Sequence, residues 1–164
     1  MVTYLQAEEY RFYRMYSIDL QGAKQTIQML PRFPEPDVRY SIIRDAVVAY
    51  ARPFSKNRGK FLKFHRLPDS IVPRERLELH AELITLRDQA FAHSDHEFFK
   101  PQLMRWPHTG SNDRYIFGFA IPPWASLDLR AAEIEALITA VETAVHGWIT
   151  EFERTELDPL RASE

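Results

Sequence analysis

The sequence predicts a mainly α-helical protein, an up-and-down bundle of about four helices with a β-hairpin inserted before the last helix. Apolar residues recur at three- and four-residue steps over four segments, and prolines separate most of these segments. One stretch, at about 100–122, is instead rich in aromatic and β-branched residues around a polar turn. The chain has 164 residues, the size of one ordinary domain. We therefore expect a single domain over 1–164.

The first two helices are bounded by prolines. The first is predicted from Thr3 to about Leu30, where Pro31 ends it because proline lacks a backbone donor. The second is expected to begin at an Asp37 cap and to reach Arg52, just before another proline. The connection between these two helices, from about Leu30 to Asp37, is short. Short connections favour antiparallel packing of neighbouring helices in a bundle.

The second half of the chain supplies two more helices and the hairpin. Pro73 suits the first turn of the third helix, which is predicted to reach about His93. The turn of the hairpin is predicted at 109–113, where small and polar residues cluster. Ser126 or Asp128 is expected to cap the final long helix.

Composition excludes several classes of protein and site. The formal net charge is −2 and cysteine is absent. The charge excludes a uniformly basic nucleic-acid coat, and the missing thiols exclude disulfides, cysteine zinc sites, iron–sulfur clusters and a thiol nucleophile. The first residues carry acids, and no apolar run approaches about 18 residues. We therefore expect a cytoplasmic protein without a targeting segment or a membrane partner.

The third predicted helix ends in the run Leu-Arg-Asp-Gln-Ala-Phe-Ala-His-Ser-Asp. Its arginine, Arg87, is a permanent cation whose planar fork fits phosphate oxygens. Its histidine, His93, exchanges protons near neutral pH. Such a pair suits chemistry on a phosphodiester.

This run resembles the HEPN family (higher eukaryotes and prokaryotes nucleotide-binding), and in particular its abortive-infection-type members. The family motif is an arginine, a polar residue, a short spacer and a histidine, matched here by Arg87, Asp88 and His93. The resemblance implies a metal-independent endoribonuclease that acts on RNA as a homodimer, often a toxin with an antitoxin protein or a phage-defence effector. It equally covers members that only bind nucleotides.

The resemblance implies a mechanism without metal or other cofactor. His93 is expected to help a ribose 2′-hydroxyl attack the adjacent phosphate, while Arg87 stabilises charge on the phosphorane. On an ideal helix six residues turn through about 600°, which places the two side chains roughly 120° apart. They converge only if the helix is irregular or ends near Ala92, or if two protomers meet about a two-fold axis.

Four neighbours are supporting candidates, each with a structural alternative. His80 lies seven residues before the motif arginine and is either part of the same groove or a histidine packed against a neighbouring helix. Asp88 either orients a motif residue or is solvated. Ser94 and Asp95 either cap the following turn or hold the motif histidine. The alternative for the motif pair itself is a surface arginine and a helix-terminal histidine that gains from the helix dipole.

Imidazole and carboxylate side chains crowd together after the third helix. His93, Asp95, His96 and Glu97 are residue types that bind metals. The chain lacks the His-Asp dipeptide of phosphohydrolase bundles and the paired Glu-x-x-His motifs of di-iron bundles. We therefore expect no metal site.

Residues 52–66, here called the basic segment, hold six Lys or Arg and no acid. Its cations alternate with phenylalanines, a pattern that offers phosphate contacts and stacking surfaces for unpaired bases. The cations predicted to bind RNA or another anion are Arg52, Lys56, Arg58 and Lys60. The alternative is a solvated connection whose phenylalanines pack under the bundle.

Two hypotheses of function follow. The first is a HEPN-like ribonuclease with Arg87 and His93 at a dimer cleft. The second is a non-catalytic helical module that binds nucleotide, RNA or a partner protein through the same groove. They differ in whether the two side chains face each other across a cleft.

Overall fold

A computed structural model describes residues 2–91, 102–106, 114–118 and 124–157. Over these residues the protein is mainly helical with one small antiparallel sheet, which confirms the predicted class at this level. The elements are α1 (Tyr4–Ile27), α2 (Pro36–Ala51), α3 (Leu77–Leu86), β1 (Gln102–Trp106), β2 (Arg114–Gly118), α4 (Trp124–Leu129) and α5 (Ala131–Phe152). Not one of the helices described is both long and apolar enough to cross a membrane.

α1 begins with a capping box. The Thr3 hydroxyl accepts from the backbone N–H of Gln6 at 3.2 Å, and the Gln6 side chain accepts from the Thr3 N–H at 2.9 Å. These bonds satisfy donors that the first turn leaves unpaired. The helix ends at Ile27, somewhat before the predicted end, and a 3₁₀ turn over Leu30–Arg32 accommodates Pro31.

α2 begins two residues earlier than predicted. Pro36 takes the first helical position, where its missing N–H costs nothing. The predicted Asp37 cap is wrong: Asp37 lies in the first turn, and the cap position belongs to Glu35, whose side chain makes no capping bond. The carboxylate of Asp37 still stabilises the turn through the helix dipole.

α3 is extended at both ends. A 3₁₀ turn over Arg74–Arg76 precedes it, and a π-helical turn over Arg87–Phe91 continues it. The helical path thus reaches the last described residue before the gap. The predicted end at about His93 lies outside the described residues.

The final helix is broken in two. Arg130 forms a turn between α4 and α5 and donates hydrogen bonds to Glu82 of α3 at 2.7 Å and to Glu133 at 3.0 Å. The predicted cap at Ser126 or Asp128 is wrong, because both residues lie inside α4. The hydrogen bond to Glu82, which comes from another helix, holds a break that local propensity does not require.

Three pairs of long helices run antiparallel. Within each pair, residues further along one helix or its flanking turns contact residues that lie earlier on the other. The contacts are Asp19–Arg52 and Thr26–Asp45 for α1 with α2, Tyr50–His80 and Tyr40–Phe91 for α2 with α3, and Tyr10–Glu153 and Lys24–Glu142 for α1 with α5. The long helices therefore form an up-and-down bundle.

One apolar core lies between these helices. Fully buried members come from every helix and include Leu20, Ile43, Leu83, Leu127, Ile134 and Leu137. Burial of this kind is the main favourable term in folding. It fixes which faces of α1, α2 and α3 remain at the surface.

β1 and β2 form the predicted antiparallel pair. Their register runs from Gln102 opposite Gly118 to Trp106 opposite Arg114. The turn predicted at 109–113 lies outside the described residues. Apolar side chains on both strands are exposed, namely Leu103, Met104, Tyr115 and Ile116.

Candidate functional site

Arg87 opens the π-helical turn at the end of α3. Its guanidinium donates to the carboxylate of Asp88, and the two side chains are 24% and 54% exposed. The partner of Arg87 is thus a neighbouring surface carboxylate and not a group in the core. The cation remains within reach of an external anion.

The other half of the motif lies outside the described residues. His93, Ser94 and Asp95 fall there, as do His96 and Glu97 of the metal hypothesis. Of the predicted catalytic pair the structure therefore places Arg87, and of the supporting residues it places Asp88 and His80.

His80 is buried between α2 and α3. Its Nδ1 lies 2.8 Å from the Tyr50 hydroxyl, and its ring meets Phe54 edge to face at 4.5 Å. Nε2 lies 3.9 Å from the Asp69 carboxylate. Burial lowers the pKa of His80, while Asp69 acts in the opposite direction. The ring nitrogens thus face Tyr50 and Asp69, and Arg87 lies about 10 Å further along the helix axis.

His65, in the basic segment, packs against α1 through the same kinds of contact: a tyrosine hydroxyl, a carboxylate and an aromatic ring. Its Nδ1 lies 3.0 Å from the Tyr16 hydroxyl, and its Nε2 lies 3.8 Å from the Glu9 carboxylate. Its ring stacks on Phe12 with centroids 5.0 Å apart. Burial lowers the pKa of His65, while Glu9 acts in the opposite direction. The histidine thereby holds the end of the basic segment against the bundle.

The basic segment folds back on itself instead of forming an open loop. Asn57 and His65 exchange backbone hydrogen bonds of 2.9 and 2.8 Å. The N–H of Leu67 donates to the carbonyl of Pro53 at 2.8 Å. These bonds bring the two ends of the segment together beside α1 and α2.

A buried acid from α1 holds the tip of the segment. The carboxylate of Glu8 accepts from three successive backbone N–H groups, those of Lys60, Phe61 and Leu62, at 2.6, 2.8 and 2.6 Å. The hydrogen bond from the Leu62 N–H makes the largest contribution to lowering the pKa of Glu8, and those from Lys60 and Phe61 act in the same direction, against the effect of burial. Sequence reasoning missed this contact. The signal was an acid on the buried stripe of α1, since a buried charge requires a partner.

Arg52 and Phe54 tie the start of the segment to the bundle. Arg52 donates to the Asp19 carboxylate of α1 at 3.2 Å. Phe54 is buried beside Tyr50. Arg52 thus links the end of α2 to α1. Phe54 packs into the bundle, as expected if the basic segment is a solvated connection with buried phenylalanines.

Two lysines of the segment lie over exposed rings. Lys56 Nζ is 5.5 Å from the centre of the Phe64 ring, and Lys60 Nζ is 5.3 Å from that of Phe61. These rings are 50% and 46% exposed. Phe61 also stacks on the exposed ring of Tyr4. This part of the segment presents cations and aromatic faces together.

A cavity of about 210 Å³ lies between α1 and the segment. It is lined by Glu8, Arg11, Phe12, Met15, Arg58, Gly59 and Lys60. Arg58 and Lys60 belong to the predicted anion-binding set. Arg11 does not, because its place on the surface beside the segment depends on a contact between distant parts of the chain.

Two regions of interest are therefore separate within one chain. The basic segment lies beside the first half of α1 and the end of α2, whereas Arg87 lies toward the start of α2. In the part of the chain that the structure describes, no group of three or more histidine, cysteine or acidic side chains is placed to hold a metal ion.

No protein-family model, curated protein or solved structure matches the chain. A function for this bundle therefore rests on its own residues.

Proposed function

We propose that this protein is a metal-independent endoribonuclease of the HEPN-like toxin or phage-defence type, with Arg87 and His93 acting on an RNA phosphodiester. One observation carries the proposal: the guanidinium of Arg87 lies at the surface, paired with the exposed carboxylate of Asp88. A phosphate presents oxygens to the guanidinium fork as a carboxylate does. Substrate can therefore take the place of Asp88 without breaking a core contact.

The local backbone supports the same assignment. The helix changes from α to π hydrogen bonding at Arg87. π-helical turns are rare and are frequent at functional sites. The angle of roughly 120° between Arg87 and His93 assumes an ideal α-helix. It therefore does not hold for a segment that begins with a π-helical turn.

The proposed reaction is an internal transesterification. His93 accepts the proton of the ribose 2′-hydroxyl as the 2′-oxygen bonds to phosphorus. Arg87 stabilises the charge that develops on the phosphorane oxygens. The bond from phosphorus to the 5′-oxygen then breaks, and that oxygen leaves with a proton. The products are a 2′,3′-cyclic phosphate and a 5′-hydroxyl end, and no oxidant, metal or water is consumed.

The proposal includes a homodimer. A two-fold axis is the simplest way to bring an arginine of one protomer to a histidine of the other. A cytoplasmic toxin of this kind requires an antitoxin protein to restrain it.

A non-catalytic RNA-binding module is the second candidate. The observation that favours it is the pairing of Lys56 with Phe64 and of Lys60 with Phe61 on exposed surface. Cations beside aromatic faces bind the phosphates and bases of single strands without sequence preference.

RNA cleavage in a chelator separates the two candidates. The wild-type protein is expected to cut single-stranded RNA with EDTA present and to leave cyclic phosphate ends, detected by mass spectrometry. Arg87→Ala and His93→Ala should each reduce the rate by about 100-fold or more. Arg154→Ala is the control, because Arg154, like Arg87, is an arginine paired with an acid close to it in sequence.

The folding of each variant is checked by its unfolding midpoint. Removing an ion pair at the protein surface costs about 1 kcal/mol or less, and the Arg87–Asp88 pair is partly exposed, so Arg87→Ala should fold. A wild-type protein that binds RNA and cuts none, or an Arg87→Ala protein that cuts at the wild-type rate, would refute the ribonuclease.

A further inference from the structure

We propose that the cavity between α1 and the basic segment is a phosphate-binding subsite for single-stranded RNA, formed by Arg11, Arg58 and Lys60 and positioned by Glu8. The inference rests on the proposed function in taking RNA as the ligand. It concerns a surface separate from Arg87. It also assigns a role to Arg11 and Glu8, which the sequence pattern does not single out.

The charge of the cavity favours an anion. Its lining includes the cations of Arg11, Arg58 and Lys60 against the single carboxylate of Glu8. All three cationic residues are exposed. The carboxylate is buried and already accepts three backbone hydrogen bonds, so its charge is largely compensated. An external phosphate therefore meets a cationic rim.

The size and surroundings of the cavity favour one group of a longer ligand. Its volume is about 210 Å³, below the roughly 300 Å³ at which sites for whole small molecules begin. Its lining includes the buried Phe12, and Phe61, which follows the lining residue Lys60 in sequence, stacks on Tyr4. A phosphate held in the cavity places the next base near these exposed rings, where stacking stabilises single strands.

Glu8 fixes the backbone that carries two of the three cations. Successive N–H groups that point at one spot form an anion-binding nest, and here the chain's own carboxylate fills it. The nest consists of the N–H groups of residues 60–62, so Lys60 is its first residue and Arg58 precedes it by two positions. Loss of the carboxylate releases the tip of the segment and with it the spacing of these cations. Glu8 is therefore a positioning residue and makes no contact with the phosphate.

Gly59 shows how tightly the nest is closed. A Cβ at this position would lie 2.6 Å from the Leu62 carbonyl oxygen and 2.7 Å from Oε2 of Glu8. Real Cβ atoms do not approach other atoms so closely, and one of these two is backbone. The close approach of the loop to Glu8 thus requires glycine. Gly59→Ala provides a second way to disturb the nest without changing any charge.

The test measures binding apart from cleavage. A fluorescent single-stranded RNA with 2′-O-methyl riboses cannot undergo attack by the 2′-oxygen, so its anisotropy reports binding alone. Arg11→Ala and Arg58→Ala are each expected to weaken binding by about tenfold. Each should also reduce the slope of log K against log salt by about 0.7, the value for one lost phosphate contact on a single strand. Arg32→Ala is the control, since Arg32 is an exposed arginine beyond the other end of α1.

The Glu8→Gln variant separates positioning from net charge. Removal of a negative charge from a basic surface should tighten RNA binding if electrostatics alone matters. If Glu8 positions the loop, Glu8→Gln should weaken binding, and Gly59→Ala should weaken it as well. If Glu8→Gln fails to fold, Gly59→Ala and the two arginine variants still decide the matter.

The outcomes distinguish this inference from the proposed ribonuclease. Arginine variants that bind like Arg32→Ala, or tighter binding by Glu8→Gln, would overturn the subsite even if the wild-type protein cuts RNA. Weakened binding by the variants supports the subsite even if no RNA is cut. Saturable binding of inorganic phosphate without binding of the oligonucleotide would replace the RNA subsite by a small-anion site.

Discussion

The hydroxyl oxygen of Tyr50 and Nδ1 of His80 lie 2.8 Å apart inside the bundle, where they join α2 to α3. His80 is 6% exposed and Tyr50 is fully buried. In the tautomer whose Nε2–H faces Asp69, the tyrosine donates to Nδ1. Both polar groups are thus satisfied by each other in a place without solvent.

Tyr50→Phe should destabilise the protein by about 1–3 kcal/mol, because it leaves Nδ1 of His80 buried without its partner. The free energy of unfolding in urea measures this loss. Tyr4→Phe is the control: Tyr4 is 78% exposed, and its change should stay within about 0.5 kcal/mol. Equal stability of the two variants would contradict the importance of the buried bond.

Stability should fall as the pH falls below about 6.5. Burial lowers the pKa values of His65 and His80 in the folded protein. The unfolded chain then binds protons at a higher pH than the folded one. The stability from these neutral histidines is present above the unfolded pKa and is lost as the pH falls through the folded values.

Urea unfolding at several pH values between about 7.5 and 5.5 checks this slope. His80→Gln should reduce the slope, because one of the two groups no longer titrates. Unfolding free energies that do not change over this range would refute the assignment of both histidines as neutral.

Arg39 should not be replaceable by lysine. Its guanidinium pairs with Asp128 of α4 and also donates to the carbonyl oxygens of Leu30 and Phe33, at 2.7 and 3.0 Å. A lysine ammonium is a point charge and lacks the planar fork that reaches all three partners. Arg39→Lys is therefore expected to cost about 1–3 kcal/mol in urea unfolding. Arg154→Lys, at an exposed pair, should cost less than about 0.5 kcal/mol.

Much of the helical framework could be predicted because its causes are local. The capping residue Thr3 and the prolines at 31, 36 and 53 act within a few residues of the boundaries that they set. The break at Arg130 could not be predicted, since the hydrogen bond to Glu82 that holds it crosses from another helix. Arg130 itself has good intrinsic helix propensity.

The candidate sites also differ in whether their residues are close together in the sequence or brought together by the fold. The motif around Arg87 is contiguous in sequence, so the residues that suit phosphate chemistry could be named without a structure. The cavity beside the basic segment depends on Glu8 and Arg11, about 50 positions from the loop that they face. Such long-range pairing leaves only an indirect sequence signal, here an acid on a buried helical stripe.

The contact of α1 with α5 also sets an order of events in folding. Tyr10 and Glu153 are 143 positions apart, and the ring of Tyr13 stacks on that of Trp148 at 3.9 Å. α1 can pair with α2 early in synthesis, whereas the face of α1 that carries Tyr10 and Tyr13 stays uncovered until α5 has been synthesised. Uncovered apolar surface of this kind is prone to aggregate. Closure of the bundle by α5 is therefore the step that covers the aromatic face of α1 and removes this face as a site of aggregation.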